Sequence, residues 1–533
     1  MTVILPNRAT TANRKPVQAG RAAKSTVKGY EPPIAGVSAD SSLRGGGRTA
    51  LVIENFWPMT ETIEPRGGSI EHVALTGSVT FLTEYSGGSG AYIAADSSGI
   101  YTFTSTTPDS TALTAAVTGQ TGGDYSALEF SNSGGTFLTM VNGVDNGQIY
   151  DGTSWSTLSV TGVGTNTLSD VWVYRNRQFF IEKETLSVWY LGTNSIAGAA
   201  VEFPLDGVFN HGGYLLFGAT LSSDSGDGID DRCVFVTNNG EAAVYRGGDP
   251  SSASDWTLDG VFELGRPLGK NHIQVGGDLV VLTELGLVSL SAAISKDTSQ
   301  LGVGNYSNNI SRSLSKEILN AGASQGWGLT KWDARGLAII HTPPSQDGYP
   351  VVWAINLNTK AAAKVTGWDT QVLSVLGGRL YFGDNQNRVN RADAGGTDNG
   401  FPFECRLALP FDDLGAFGSQ KSATMMRTTW LHTVDFSVKY SLSVDFNIKF
   451  PTSPNAGQLS SGTTNYLWDT SDWDQSFWGA ADQDHRPSSS EWRSVSGCGR
   501  SLAPQIQILS SGTTKLNCEL VLIEVMYETG SVL

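Results

Sequence analysis

The chain has 533 residues, enough for a large core and for more than one domain. Charged residues make up only 16% of the chain and glycines number 63, which is typical of an all-β protein with many tight turns. No apolar run approaches the roughly 18 residues that a membrane-spanning helix needs, so we expect no membrane insertion. The apolar stretch at the start of the sequence, Val3-Ile4-Leu5, is too short to be the apolar core of a signal peptide. We therefore expect the protein to act without secretion.

Charge is unevenly distributed along the chain. The formal net charge is −16, but the first 50 residues carry eight basic and two acidic residues, a net of +6, which leaves −22 for the rest. Residues 1–48 also lack apolar periodicity and are rich in proline and glycine. We therefore predict an extended basic N-terminal arm that is flexible when alone and serves as a tether. Its candidate interface residues are Arg14, Lys15 and Arg21.

A β-unit recurs through residues 49–398 without recurring letter by letter. Each copy has a short apolar strand, a turn rich in Gly, Asn or Asp, and a second strand. The copies lie at 81–103, 136–152, 171–191, 232–245, 278–290, 338–355 and 379–390. A spacing of roughly 35 to 50 residues is typical of β-propeller blades, so we predict a propeller over 49–398. Ile310, Leu314 and Ile318 recur at helical spacing and predict one helix over 308–320, with Asn308 or Asn309 as its N-cap.

A change of pattern near residues 396–402 marks the predicted boundary of the last domain. Polar and apolar side chains alternate in residues 435–448, 505–509 and 520–525. Such alternation is typical of strands with one face in the core and one face exposed to solvent. We therefore predict a C-terminal β-sandwich-like domain over 399–533. The expected fold is all-β: a β-propeller, this added domain and the extended N-terminal arm.

An aromatic and acidic loop interrupts the C-terminal strands. Its candidate interface residues are Trp468, Trp473, Phe477 and Trp478. Trp is enriched at subunit interfaces, which favours an oligomer contact. The same side chains could stack on sugar rings, or simply pack under a long loop, and the sequence leaves these alternatives open.

The sequence offers little catalytic or cofactor chemistry. The four cysteines form no CxxC pair, and the six histidines show no metal-ligand spacing. Four aspartates between 224 and 231 could bind Ca²⁺, but Asp-Gly turns are ordinary in β proteins. We therefore expect no cofactor, no metal and no enzymatic activity.

Three segments together resemble virion proteins of short-tailed bacteriophages and related prophages. They are residues 50–68, with Pro65-Arg66-Gly67-Gly68, the Trp-Asp segment 467–478, and residues 496–504 with the ending 527–530. The likeness is to the tail nozzle family, also called tail tubular protein B or tail DNA-stabilisation protein. The basic arm is the part that maps least well onto that family.

The resemblance implies a structural protein of the virion tail, assembled in the host cytoplasm as a homo-oligomeric ring, expected to be a hexamer. Its implied partners are portal or adaptor proteins, tail fibres or the tail tip, and genomic double-stranded DNA that passes through the lumen and is retained there before ejection. The family is structural, so no catalytic residue carries over. The alternative is a phage β-propeller protein that binds or cleaves host-surface glycans.

Overall fold

The computed structural model describes residues 25–38, 47–222, 231–302, 305–321, 326–344, 350–451, 455–459 and 487–532. These residues form an all-β protein built from many small sheets. The strands that precede the repeated units are Thr26–Tyr30 (β1), Val52–Glu54 (β2), Phe56–Pro58 (β3), Ile63–Pro65 (β4) and Ser69–Ala74 (β5).

Seven sheets, here called ring sheets 1 to 7, follow in chain order. Sheet 1 contains Phe81–Tyr85 (β6), Ala91–Ala95 (β7), Gly99–Phe103 (β8) and, after the short Thr111–Ala112 (β9), Val117–Thr118 (β10). Sheet 2 contains Ser126–Asn132 (β11), Gly135–Val141 (β12), Gln148–Tyr150 (β13) and Trp155–Thr157 (β14). After Val160–Thr161 (β15), sheet 3 contains Leu168–Tyr174 (β16), Arg177–Glu182 (β17), Ser187–Tyr190 (β18) and, past Gly198–Ala199 (β19), Val201–Pro204 (β20).

The remaining ring sheets repeat the same up-and-down order. Sheet 4 contains Leu215–Leu221 (β21), Arg232–Thr237 (β22), Glu241–Arg246 (β23) and Thr257–Glu263 (β24). Sheet 5 contains Pro267–Val275 (β25), Asp278–Thr283 (β26) and Gly286–Ser289 (β27). Sheet 6 contains Gly328–Trp332 (β28), Leu337–His341 (β29), Val352–Asn356 (β30) and Ala362–Val365 (β31). Sheet 7 contains Thr370–Leu376 (β32), Arg379–Asp384 (β33) and Arg388–Ala392 (β34).

Helices lie between sheets 5 and 6. They are Leu290–Ser295 (α1), Thr298–Leu301 (α2) and Ser311–Ala321 (α3). The helix predicted over 308–320 is therefore present, with Ile310 and Leu314 buried against sheets 5 and 6. The predicted N-cap is wrong, because Asn308 and Asn309 lie inside a 3-10 turn that leads into α3. The two shorter helices carry too few residues to show helical periodicity.

The seven sheets close into a ring. The first strands of consecutive sheets contact one another, as β16 does with β11 and β21, and β32 does with β28 and β6. Seven apolar clusters lie between consecutive sheets, and one of them joins sheet 7 to sheet 1 through Val73, Tyr381, Leu82 and Tyr101. Because both faces of each sheet are covered, the second strands are rich in buried apolar residues, such as residues 233–236.

An N-terminal strand completes the last ring sheet. β5 pairs antiparallel with β34, with Val73 opposite Val389 and Ser69 opposite Ala392. The ring is therefore closed by hydrogen bonds between segments more than 300 residues apart in sequence.

Residues after the ring form two further sheets around one core. Their strands are Phe403–Ala408 (β35), Ser419–His432 (β36), Phe436–Val444 (β37), Asn455–Leu459 (β38), Ser488–Ser489 (β39), Arg493–Gly499 (β40), Leu502–Ser510 (β41) and Cys518–Val532 (β42). One sheet has the order β1-β42-β36, with β39 and β40 also on β36. The other runs β2-β35-β41-β37-β38 and, through the parallel pair of β2 and β31, continues into ring sheet 6. We call this two-sheet part the C-terminal unit.

The N-terminal residues contribute directly to the C-terminal unit. β1 pairs antiparallel with β42, Thr26 lying opposite Tyr527, and Val37, Ala50 and Ile53 are buried in the shared core. Residues 26–30 of the predicted arm are thus a sheet edge in this structure. The domain boundaries proposed at 48 and 398 stay predictions.

The closing strand offers a test of the ring. Val73→Asp places an unpaired charge in the cluster between sheets 7 and 1, and we expect it to lower the free energy of unfolding by roughly 3 kcal/mol or more. The matched control is Val201→Asp on the half-exposed edge strand β20, with an expected change within about 0.5 kcal/mol. Chemical denaturation measures both, and equal effects would contradict closure by β5.

Candidate functional site

Arg66 lies at the junction of the ring and the C-terminal unit. Its side chain is fully buried, and all five guanidinium N–H groups donate hydrogen bonds. The acceptors are Asn55 Oδ1 at 2.9 Å, Gly67 O at 2.8 Å, Thr366 O at 2.9 Å, and Asp398 Oδ1 and Oδ2 at 2.9 and 2.7 Å. The two bonds to Asp398 form the bidentate fork that arginine and carboxylate geometry favours. Arg66 thus connects residues 50–68, here called the entry segment, with the link between sheets 6 and 7 and the link into the C-terminal unit.

Aromatic rings enclose the same guanidinium. Its central carbon lies 3.8 Å from the ring centroid of Phe403 and 4.8 Å from that of Trp368. Trp368 Nε1 also donates to Asp398 Oδ1 at 3.1 Å. Cation–π attraction in a desolvated site adds to the ion pair, so the arginine is held on its faces as well as its edges.

The glycines that follow Arg66 are required by space. A Cβ on Gly67 would lie 2.6 Å from the carbonyl carbon of Asp393, and a Cβ on Gly68 would lie 1.9 Å from Thr397 O. Both contacts are with backbone atoms, which cannot move aside cheaply. Pro65-Arg66-Gly67-Gly68 stood out in the sequence only as part of a resemblance. In the structure, this stretch packs closely against the backbone that follows sheet 7 and bonds the link between sheets 6 and 7.

Asp393 is a second hub of this junction. Its Oδ1 accepts from Trp57 Nε1 at 2.8 Å and from Gly67 N at 2.6 Å. Its Oδ2 pairs with Arg335 at 3.0 Å and with Lys515 at 2.8 Å. One carboxylate thus joins the entry segment, ring sheets 6 and 7, and the loop between β41 and β42.

Polar side chains bridge the first strands at the ring axis. Asp170 Oδ1 accepts from Ser126 Oγ at 2.7 Å, and its Oδ2 accepts from Gly218 N at 2.9 Å, which joins sheets 2, 3 and 4. Lys270 Nζ in sheet 5 donates to Ser169 O in sheet 3 at 2.6 Å, and so reaches past sheet 4. Lys270 therefore links sheets 5 and 3 on the side of the ring where the first strands lie.

His272 lies beside this bridge. Its ring stacks on Phe217 with centroids 4.5 Å apart, and its Nδ1 lies 3.1 Å from Lys270 O. Burial lowers the pKa of His272, although the nearby Asp170 carboxylate acts in the opposite direction. The axial groups are engaged in sheet-to-sheet contacts, which indicates a structural role for them.

A polar cleft of about 430 Å³ lies at the rim of sheets 1 and 2. The amides Gln120, Asn146, Gln148 and Asn166 line it together with Asp145. Asp145 accepts bonds from Thr121, Gly122 and Asn142, and despite the opposing effect of burial these bonds lower its pKa below the usual range. The cleft therefore presents hydrogen-bonding amides around a carboxylate that is already occupied.

Within the described ranges, no group of three or more His, Cys, Asp or Glu is placed to hold a metal ion. In the same part of the chain, no helix has the length and apolar character needed to cross a membrane. Of the four aspartates between 224 and 231, the structure describes Asp231, whose backbone carbonyl accepts a hydrogen bond from Tyr174 Oη at 2.9 Å, and the other three lie outside the described residues.

The candidate interface residues from the sequence all lie outside the described residues. This holds for Arg14, Lys15 and Arg21 in the arm, and for Trp468, Trp473, Phe477 and Trp478 in the aromatic loop. Their roles stay predictions. The sequence analysis did not predict the junction of Arg66, Asp393 and Asp398, because the two aspartates are more than 300 residues away from Arg66. The sequence feature that could have indicated it is an arginine between a proline and two glycines in a chain with few charged residues.

No family model and no curated protein matches this chain. Among solved structures, the chain is similar to one in the crystal structure of BBS1N in complex with ARL6DN, at 9% identity and a TM-score of 0.37, covering 61% of this chain and 97% of that one. It is also similar to the computationally designed Ika8 protein, at 12% identity and a TM-score of 0.32, covering 60% and 98%. A chain of the Mitotic Checkpoint Complex gives 9% identity and a TM-score of 0.35, covering 56% and 85%. Similarity at this level carries no inference about function.

Removal of the buried arginine tests the junction. Arg66→Met leaves Asp398 without its cation, and breaking a buried ion pair in this way typically costs about 3 to 5 kcal/mol of unfolding free energy. The matched control is Arg48→Met, since Arg48 pairs with Glu31 on the surface at 2.5 Å. We expect that control to change stability by less than about 1 kcal/mol. Arg66→Met with wild-type stability in urea denaturation would show that the junction does not depend on this pair.

Proposed function

We propose that this protein is a structural subunit of the tail nozzle of a short-tailed bacteriophage, and that its ring of seven sheets is a β-propeller joined to a β-sandwich. In this proposal the protein has no enzymatic activity. It assembles as a homo-oligomeric ring, expected to be a hexamer, in the host cytoplasm. The ring meets portal or adaptor proteins on one side and tail fibres or the tail tip on the other, and it conducts and retains genomic double-stranded DNA.

The observation that supports this proposal best is the rigid junction around Arg66. Residues 50–68, one of the segments behind the resemblance, supply β2, β3, β4 and Arg66 to that junction. A single hydrogen-bonded sheet runs from β28 in the ring to β38 in the C-terminal unit. A continuous sheet and a buried ion pair leave no flexible linker between the two parts, as a subunit that resists pressure from packaged DNA requires.

In this proposal the DNA passes between subunits, through a lumen formed by outer surfaces of the chain. The first strands of one ring are joined by contacts such as Lys270 Nζ to Ser169 O, which supports a lumen outside the ring. The body beyond the arm carries −22, and an acidic wall repels the phosphate backbone instead of binding it.

The second candidate function is glycan binding at the host surface. The amide-lined cleft beside Asp145 favours it, because amide groups can donate to and accept from sugar hydroxyls. Glycan cleavage is less favoured there, because glycosidases use two carboxylates and Asp145 is the one acid among the residues that line this cleft.

Electron microscopy tests the proposal directly. We expect the purified full-length protein, or its adaptor complex, to form closed rings with a central lumen, and labelled antibodies to mark the tail of virions. Images of virions establish the position, and class averages establish the symmetry. Absence from virions, or a monomer at every protein concentration, would overturn the nozzle assignment.

The aromatic loop separates the two candidate functions. We expect Trp473→Ala and Trp478→Ala to weaken subunit assembly, since loss of an interface anchor typically costs about 2 kcal/mol or more. Sedimentation measures assembly, and an unchanged unfolding temperature is the control for general damage. Variants that assemble normally but lose glycan binding would instead favour the second function.

A further inference from the structure

A pocket of about 250 Å³ opens between ring sheets 6 and 7. Three arginines line it, Arg335, Arg379 and Arg391, beside the indole of Trp332. Its other lining residues include the small side chains Ala392 and Ala394, which leave the space open. Three guanidinium groups in one pocket are unexpected in a chain whose net charge is −16.

The pocket is also lined by Asp393, and the carboxylates near it have other partners besides the pocket's arginines. Asp393 binds Trp57, Gly67 N, Arg335 and Lys515, and Glu64 pairs with Arg335 at 3.0 Å. Asp109 pairs with His72 at 2.9 Å and with Arg391 only at 3.4 Å. Arg379 is exposed and, in the part of the chain that the structure describes, forms no ion pair with a carboxylate. Arg379 and Arg391 thus retain donors for a ligand.

Arg335 and the hairpin that carries Arg379 are held in place before any ligand binds. Arg335 forks between Glu64 and Asp393, and its guanidinium carbon lies 5.2 Å from the ring centroid of Trp332. Trp332 Nε1 donates to Gly378 O at 3.0 Å, and Glu84 accepts from Gly377 N at 2.7 Å, which fixes the hairpin that carries Arg379. A preorganised site loses less entropy on binding.

We propose that this pocket is a binding site for a phosphoryl group. Arginine forks match the oxygen geometry of phosphate, and charge-assisted hydrogen bonds are about twice as strong as neutral ones. The pocket volume exceeds that of one phosphate group, so a small phosphorylated molecule fits as well. Arg335 supplies a fixed wall, while Arg379 and Arg391 supply the free donors. Because Asp393 also bonds the entry segment, occupancy stabilises the junction of the ring and the C-terminal unit.

Calorimetric titration of the full-length protein with inorganic phosphate tests this site. We expect saturable binding with one phosphate per chain, and a rise in unfolding temperature with phosphate that sodium chloride at equal ionic strength does not reproduce. Arg379→Ala should weaken phosphate binding about tenfold, because it removes a charge-assisted donor. The matched control is Arg266→Ala on sheet 5, an exposed arginine paired with Glu284 at 3.8 Å, which should bind phosphate as wild type does.

Further measurements identify the source of the phosphoryl group and show which results would overturn the proposal. Competition by a short DNA duplex at equal phosphate concentration would identify a nucleic-acid backbone as the source of the phosphoryl group, whereas competition by a sugar phosphate alone would identify a small molecule. Absence of saturable binding at millimolar phosphate, or equal weakening by Arg379→Ala and Arg266→Ala, would overturn the site. Neither result bears on assembly of the protein into rings, so the nozzle proposal is tested separately.

Discussion

The buried contact between Arg66 and Asp398 fixes how three distant parts of the chain meet. An uncompensated arginine inside a protein is very costly, so its five donors all require acceptors in fixed positions. Those acceptors are residues 55 and 67 on the segment that carries Arg66, residue 366 between ring sheets 6 and 7, and residue 398 after sheet 7. Satisfying one side chain therefore specifies the relative placement of the entry segment, the last ring sheets and the start of the C-terminal unit.

The two chain ends depend on each other through the same geometry. β5 completes sheet 7 beside β34, and β1 completes the C-terminal unit beside β42. Both pairings join strands far apart in sequence, so the loop-closure entropy is lost before the contacts form. The ring and the C-terminal unit are therefore each completed by an N-terminal strand that pairs with a strand far along the chain.

The repeated pattern predicted the buried second and third strands of every ring sheet. All seven predicted copies include those two strands, because they are rich in apolar residues, and the first and third copies also include the first strands β6 and β16. Most first strands carry polar groups for the axis, such as Asp170 and Lys270, and so show no simple pattern. The turn after the second strand has a recurring feature, a side chain that accepts hydrogen bonds from backbone N–H groups of the turn. Asp96, Asn142 and Asp384 each do so. At Asp96, burial raises the pKa, but the bonds from Ser98, Tyr101 and Gly99 outweigh it and lower the pKa overall.

The outer edges of the ring sheets explain why the C-terminal unit lies on one side. The edge of sheet 5 is followed by the helices, that of sheet 6 continues into β2, and that of sheet 7 is covered by β5 and β9. Sheets 1 to 3 end instead in the short strands β10, β14 and β20, and sheet 4 ends in the seven-residue β24. Short edge strands resist unwanted pairing, and β20 and β24 also carry Glu202, Asp259 and Glu263. In a larger assembly of this chain, contact between two copies of these edge strands would bring their acidic side chains together, which disfavours pairing between like edges. The distribution of charge and covered edges therefore restricts how copies of this chain could meet.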